Sequence, residues 1–208
     1  MATKRGIQYI PAIDGLRAVA VIAVMFYHLG FTWIPGGFLG VDLFFVISGY
    51  VITRLLLDSI AQSGGLDLRG FYIARARRLL PALIFMLVST TIAIGIWAPD
   101  TIKRLLIDTP FSLTGTMNWW LVAHHQDYFD TIGRPPLLQH TWSLAVEEQF
   151  YILLPIVLIL LYKFKSHRCG QFLLAGCFGT FTASAWFIVT RTPEVFYLSP
   201  FRAWEFLL

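Results

Sequence analysis

Residues 79–98 read LLPALIFMLVSTTIAIGIWA, twenty residues from Leu79 to Ala98 without one ionisable side chain, and Arg75, Arg77 and Arg78 stand directly before them. A helix rises about 1.5 Å per residue, so about twenty apolar residues cover the roughly 30 Å of hydrocarbon in a bilayer. Arginines at one end mark the side that stays in the cytoplasm. This stretch predicts a membrane-crossing helix. The whole 208-residue chain agrees, being 57% hydrophobic and only 13% charged. A soluble domain carries about twice that share of charge.

Working outward, the same reading finds four more spans: Ile13–Phe31, Phe38–Leu57, Leu144–Tyr162 and Phe172–Val189. A sixth apolar run begins near Phe201. No small-residue cleavage site follows the first run, so it reads as an uncleaved span. Leu105–Ala123 is ambiguous, because Asp108, Pro110, Asn118 and several hydroxyl residues make it too polar to face lipid. The segment from Arg54 to Arg78 carries five arginines against Asp58 and Asp67, and Lys163, Lys165 and Arg168 form a second basic loop. Both are expected in the cytoplasm, together with Lys4 and Arg5 at the N-terminus. The chain then crosses an even number of times between them, which leaves Pro99–Thr141 outside if Leu105–Ala123 does not cross. The predicted fold is all-α, a polytopic transmembrane helix bundle in one domain over residues 1–208.

The net charge of +4 sits beside apolar runs and does not indicate nucleic-acid binding. Cys169 and Cys177 form neither a disulfide framework nor a metal motif and read as packing residues. His124, His125, Asp127 and Asp130 match no metal-ligand spacing and read as a solvated loop. No metal site is expected.

Charged groups within spans are costly and mark function. Asp14, Arg17 and His28 lie on the first span. Eleven residues separate Arg17 from His28, which turns through roughly 1100°, about 20° from the same face, over roughly 16 Å. One stripe thus carries a permanent cation and an imidazole. Asp14 is placed to pair with Arg17, three residues on. Asp42, near the start of the second span, is a polar partner within the bundle, and Gly40, Ser48 and Gly49 permit close helix contact. Arg75 and Arg78 read either as a headgroup anchor or as a phosphate site. Ser143 is placed to cap the fourth span, with Glu147 and Glu148 in its first turn. Capping does not account for two acids at the head of a lipid-length run, so one is expected to face the bundle.

Ile13-Asp14-Gly15-Leu16-Arg17 with His28, Phe44-Phe45-Val46-Ile47-Ser48-Gly49, Phe71-Tyr72 with Arg75 and Arg78, and Thr141-Trp142-Ser143-Leu144-Ala145-Val146-Glu147-Glu148-Gln149-Phe150-Tyr151 follow one another in the chain. Together with Phe201-Arg202-Ala203-Trp204-Glu205, they resemble the acyltransferase-3 family of membrane acyltransferases, collinearly from about residue 8. Two departures stand out. Ala74 replaces the first of an arginine pair common in the family, and family members continue through further spans, so the chain reads as an N-terminal portion, incomplete at its C-terminus.

The resemblance implies transfer of an acyl group, acetyl in most members, from acyl-CoA as donor substrate, with no bound cofactor, to a hydroxyl of a surface or exported carbohydrate. It implies a multi-pass protein of the inner membrane with a cytoplasmic N-terminus, and an extracytoplasmic esterase-like domain or partner in some members. Within that frame His28 is expected as general base or acyl carrier, oriented by Glu147. Arg75 and Arg78 are expected on the donor phosphates, Arg17 extending the positive path, and Asp14, Asp42, Ser143 and Tyr151 supporting. Two rival readings use the same charges or none: a transporter of a polar or acyl-containing solute, and an inactive fragment or assembly partner.

Overall fold

A computed structural model describes residues 10–129, 135–163 and 168–208. Lys4, Arg5, Asp130 and Lys165, together with the first residues of the resemblance, lie outside the described residues. The described residues are helical, with no strand among them: α1 (Pro11–His28), α2 (Gly40–Ser63), α3 (Leu68–Trp97), α4 (Ile102–Leu113), α5 (Met117–Ala123), α6 (Trp142–Lys163), α7 (Cys169–Phe187), α8 (Thr192–Tyr197) and α9 (Ser199–Leu207). Short 3₁₀ turns at Gly37–Leu39, Pro99–Thr101 and Gln139–Thr141 lead into α2, α4 and α6.

Four helical segments have the length and apolar composition to cross a membrane: Pro11–His28, Gly37–Gln62, Leu68–Trp97 and Gln139–Tyr162. Their outer faces are apolar. On α3, Phe85 is 75% exposed and Trp97 79%, a surface that water does not tolerate in bulk and lipid does. The fifth expected span corresponds to α7, whose nineteen residues reach the length but not the apolarity, because Gln171, three glycines and several hydroxyl residues dilute it. The run from Phe201 lies in α9, a nine-residue helix carrying Arg202 and Glu205.

The ambiguous stretch Leu105–Ala123 is two short helices, twelve and seven residues long. At about 1.5 Å per residue neither approaches the hydrocarbon thickness. The break between them falls at Gly115, whose φ of +64° lies in the left-handed region that a side chain disfavours.

The chain forms two compact units. In the first (up to Leu66, Leu154–Phe181 and Ala203–Leu208), small residues bring backbones together. A Cβ on Gly37 would strike the Ala23 carbonyl, and one on Gly40 would lie 2.8 Å from Val24 Cγ2 and against the Ala20 carbonyl. Gly49 lies on the backbone of Phe206, whose ring stacks on Phe45 at 4.6 Å. Glycine serves there because helix association in lipid depends on close packing rather than on expelling water.

In the second unit (Asp67–Leu153 and Thr182–Arg202), Leu83, Leu87, Leu105 and Leu138 form the apolar core, with Met86 and Leu144 against it. Near its start α3 meets the middle of α6, where the Tyr72 hydroxyl donates to the Ile152 carbonyl at 3.3 Å. Further along α3, Leu83 and Leu87 share the core with Leu144, near the start of α6. Numbers rise along one helix as they fall along the other, so α3 and α6 are antiparallel.

Candidate functional site

Asp67 caps α3 by accepting the Gly70 N–H at 2.9 Å. The helix therefore begins eleven residues before Leu79, and the arginines predicted for a loop lie on its first turns. Arg77 and Arg78 are exposed, while Arg75 is half-buried. The Arg75 guanidinium carbon stands 5.7 Å from the Phe71 ring centroid and 5.1 Å from that of Tyr151. A guanidinium flanked by rings is held by their negative faces.

Tyr151 is buried on α6. Its hydroxyl donates a hydrogen bond to Oε1 of Glu147, one turn earlier. The structure thus joins Arg75, expected on the donor phosphates, and Glu147, expected to act on the imidazole, through Tyr151, expected only in support. Glu147 and Glu148 are in the second turn of α6 rather than its first, because the 3₁₀ turn at Gln139–Thr141 starts the helix at Trp142. Ser143 does not cap it. Its hydroxyl donates to the His140 carbonyl at 3.3 Å instead of accepting an N–H, since a residue already inside the helix has its oxygen turned toward a preceding carbonyl.

Glu148 turns the other way, with its carboxylate against Gly115. Beside it lies a network that sequence reading missed. Gln149 Nε2 donates to the Gly115 carbonyl and to Asn118 Oδ1, each at 3.0 Å. Gln149 Oε1 accepts from Ser199 Oγ. Asn118 Nδ2 donates to the Tyr197 carbonyl at 3.1 Å, and the Tyr197 hydroxyl accepts from Gln139 Nε2 at 2.8 Å. The available signal was a glutamine inside an apolar run together with the polar stretch around Asn118. Such groups need partners when buried. Arg202, near its end, lies 4.7 Å from the Phe196 ring and 5.7 Å from that of Trp142, and its Nε donates to the Phe196 carbonyl at 2.9 Å.

The other predicted residues belong to the first unit. Arg17 pairs with Asp14 at 3.6 Å, as their spacing led one to expect. His28 is the last residue of α1 and exposed at its surface. Its Nδ1 lies 2.8 Å from the Val24 carbonyl. A carbonyl accepts only a donor, so that nitrogen carries the proton, and in the neutral ring the lone pair belongs to Nε2. Because α1 is unbroken from Pro11 to His28, Arg17 and His28 keep the helical spacing of one stripe. Asp42 is half-buried in the first turn of α2, where the helix dipole favours a carboxylate.

His124 Nδ1 bonds the Trp120 carbonyl at 2.9 Å and its ring stacks on Trp120. The Asp127 carboxylate accepts the Phe129 N–H at 2.9 Å. These groups close α5 and the turn after it. Among the described residues no cluster of three histidine, cysteine or carboxylate side chains has metal-ligand geometry.

The acyltransferase-3 profile, described as an acyltransferase domain, matches residues 10–208. The chain is 41% identical over 211 aligned positions to the peptidoglycan O-acetyltransferase OatA of Listeria monocytogenes, an alignment covering 99% of this chain and 34% of that protein. It is 43% identical over 165 positions to the O-acetyltransferase OatA of Staphylococcus aureus, covering 79% of this chain and 27% of that protein. The chain thus spans about a third or less of the length of these relatives. No solved structure matches it.

Proposed function

The chain belongs to the acyltransferase-3 family, and on that premise we propose that it forms the membrane part of an O-acetyltransferase that moves an acetyl group from acetyl-CoA to a hydroxyl of a cell-envelope carbohydrate, with peptidoglycan as the acceptor class. It resides in the cytoplasmic membrane with its N-terminus inside. The carrying observation is the helical stripe of α1, on which Arg17 and a His28 held through Nδ1 keep one face, in a chain related over its whole length to O-acetyltransferases.

His28 Nε2 takes the proton of the acceptor hydroxyl as its oxygen attacks the thioester carbonyl. The tetrahedral adduct collapses by breaking the carbon–sulfur bond, and the departing thiolate takes the proton from the imidazolium. Glu147, held by Tyr151, is the carboxylate of the proposed reaction on α6. Arg75 and Arg78 hold the donor's phosphates, and Arg17 supplies a further positive charge on α1. Asp14 fixes Arg17, while Asp42 and Ser143 shape the surroundings. An extracytoplasmic esterase-like domain or partner accompanies this membrane part.

Replacing His28 by Ala in the native protein is expected to lower acetyl transfer by a factor of about 100 or more, the usual contribution of a general base. Membrane insertion should be unaffected. The measurement is transfer of label from acetyl-CoA to isolated cell-wall glycan. Wild-type transfer by His28→Ala removes the base. Flux of acetyl-CoA or sugar without release of CoA replaces the enzyme by a transporter.

A further inference from the structure

Tyr151 stands where two helices and two proposed roles meet. Its ring carries the Arg75 guanidinium, 5.1 Å from the centroid, and its hydroxyl holds the Glu147 carboxylate. We infer that Tyr151 is a positioning residue for the transfer, coupling the donor-binding arginine of α3 to the carboxylate of α6; this rests on the reading that Arg75 and Glu147 serve the reaction.

Three features carry the inference. First, Tyr151 is buried, and a buried phenol needs a partner; a carboxylate is the strongest acceptor available. The bond removes rotamer freedom from Glu147, which lies one turn away on the same face. Second, the two contacts use different parts of one side chain. The ring face takes the cation and the hydroxyl takes the anion, so the hydroxyl can be removed without the ring. A cation over the ring also draws electron density from the oxygen and makes its O–H a better donor. Third, α6 is weakest at this level. Pro155 lies inside the helix, four residues after Tyr151, and has no N–H to give the Tyr151 carbonyl. The helix lacks a rung where the two charges must be held, and side-chain contacts supply the constraint. The neighbouring bond from Tyr72 to the Ile152 carbonyl ties α3 to α6 without Tyr151, so loss of the phenol hydroxyl leaves the helices docked.

The test is steady-state acetyl transfer by the native protein in membranes, with acetyl-CoA as the varied donor. Tyr151→Phe keeps the ring and loses the hydroxyl. Its turnover is expected to fall about 10- to 100-fold, the scale of a misplaced reacting group, with the KM for acetyl-CoA within about twofold of wild type. Tyr151→Leu loses the ring too and is expected to add a rise of about fivefold in that KM, as a cation–π contact is lost. Immunoblotting and the thermal unfolding midpoint in detergent check that Tyr151→Phe accumulates and folds as wild type. Wild-type turnover in Tyr151→Phe overturns the inference, as does a loss expressed only in the KM. Wild-type turnover in Glu147→Gln or His28→Asn, or no transfer from acetyl-CoA by the unmodified protein, marks failure of the parent reading instead.

Discussion

Asp108 is a carboxyl group in a place nearly without water: it is buried on α4 and accepts the Leu138 N–H at 3.3 Å. Burial raises its pKa above the usual value, and the backbone N–H groups of Leu138 and Leu137, with Arg104, offset part of that rise. The fold therefore favours the neutral carboxyl. Above the ordinary carboxylate value of 3.8, the unfolded chain has lost this proton while the folded chain still holds it. By linkage, stability falls as pH rises through this window and levels off once the folded carboxyl has also ionised. Asp108→Asn keeps an acceptor and removes the titration. Its unfolding midpoint in detergent, relative to wild type, is expected to be higher at about pH 7 than at about pH 4. An equal difference at both pH values would show that folding does not raise the pKa of Asp108. Gln149 illustrates the opposite solution at the same scale. It is an amide with every direction satisfied and no charge to desolvate, which suits the interior of a bundle.

The elements differ in what holds them. In the second unit, Leu83, Leu87, Leu105 and Leu138 give α3 and α4 an ordinary apolar core. In the first unit, α1 has almost no buried surface, Ala20 being its one buried residue among those described. It depends on backbone proximity at Gly37 and Gly40. Gly40→Ala puts a methyl group against the Ala20 carbonyl and Val24 and is expected to cost about 1–3 kcal/mol, the scale of overpacking. Gly95→Ala on α3 meets nothing within 4 Å and is expected to be neutral or stabilising by up to about 1 kcal/mol, since alanine is the better helix former. Detergent unfolding of the pair measures both. Equal effects would mean that the close approach of α1 and α2 contributes nothing. Positive-inside counting could place α3 as a span but not locate its start. Asp67 and the backbone N–H that it caps decide that, and they move Arg75 from a loop onto a helix facing Tyr151.

For the molecule as a whole, the shortness of α4 and α5 and the antiparallel course of α3 and α6 accord with the even number of crossings expected between the basic loops. On the proposed topology the chain crosses twice between the two basic loops, which puts both loops on one side and the connection between α4 and α6 on the other. Single cysteines placed in a background lacking Cys169 and Cys177 test this. In intact cells, His125→Cys is expected to react with a membrane-impermeant maleimide, while Asp67→Cys and Arg168→Cys react only after lysis. Labelling of Arg168→Cys in intact cells would require a third crossing and reverse everything after it.

Apolar length, the placement of arginines and the order of five short motifs depend only on chain chemistry. They were sufficient for the helical membrane class, for four segments long and apolar enough to cross a membrane, and for the family. The Asp14–Arg17 pair and the shared stripe of Arg17 and His28 were legible for the same reason, since helical periodicity is a local rule. The meeting of Arg75, Tyr151 and Glu147, the network around Gln149 and Asn118, and the seats of Gly40 and Gly49 were not. Each joins residues distant in the chain, and a helix read alone says which face a side chain occupies but not which neighbour covers it.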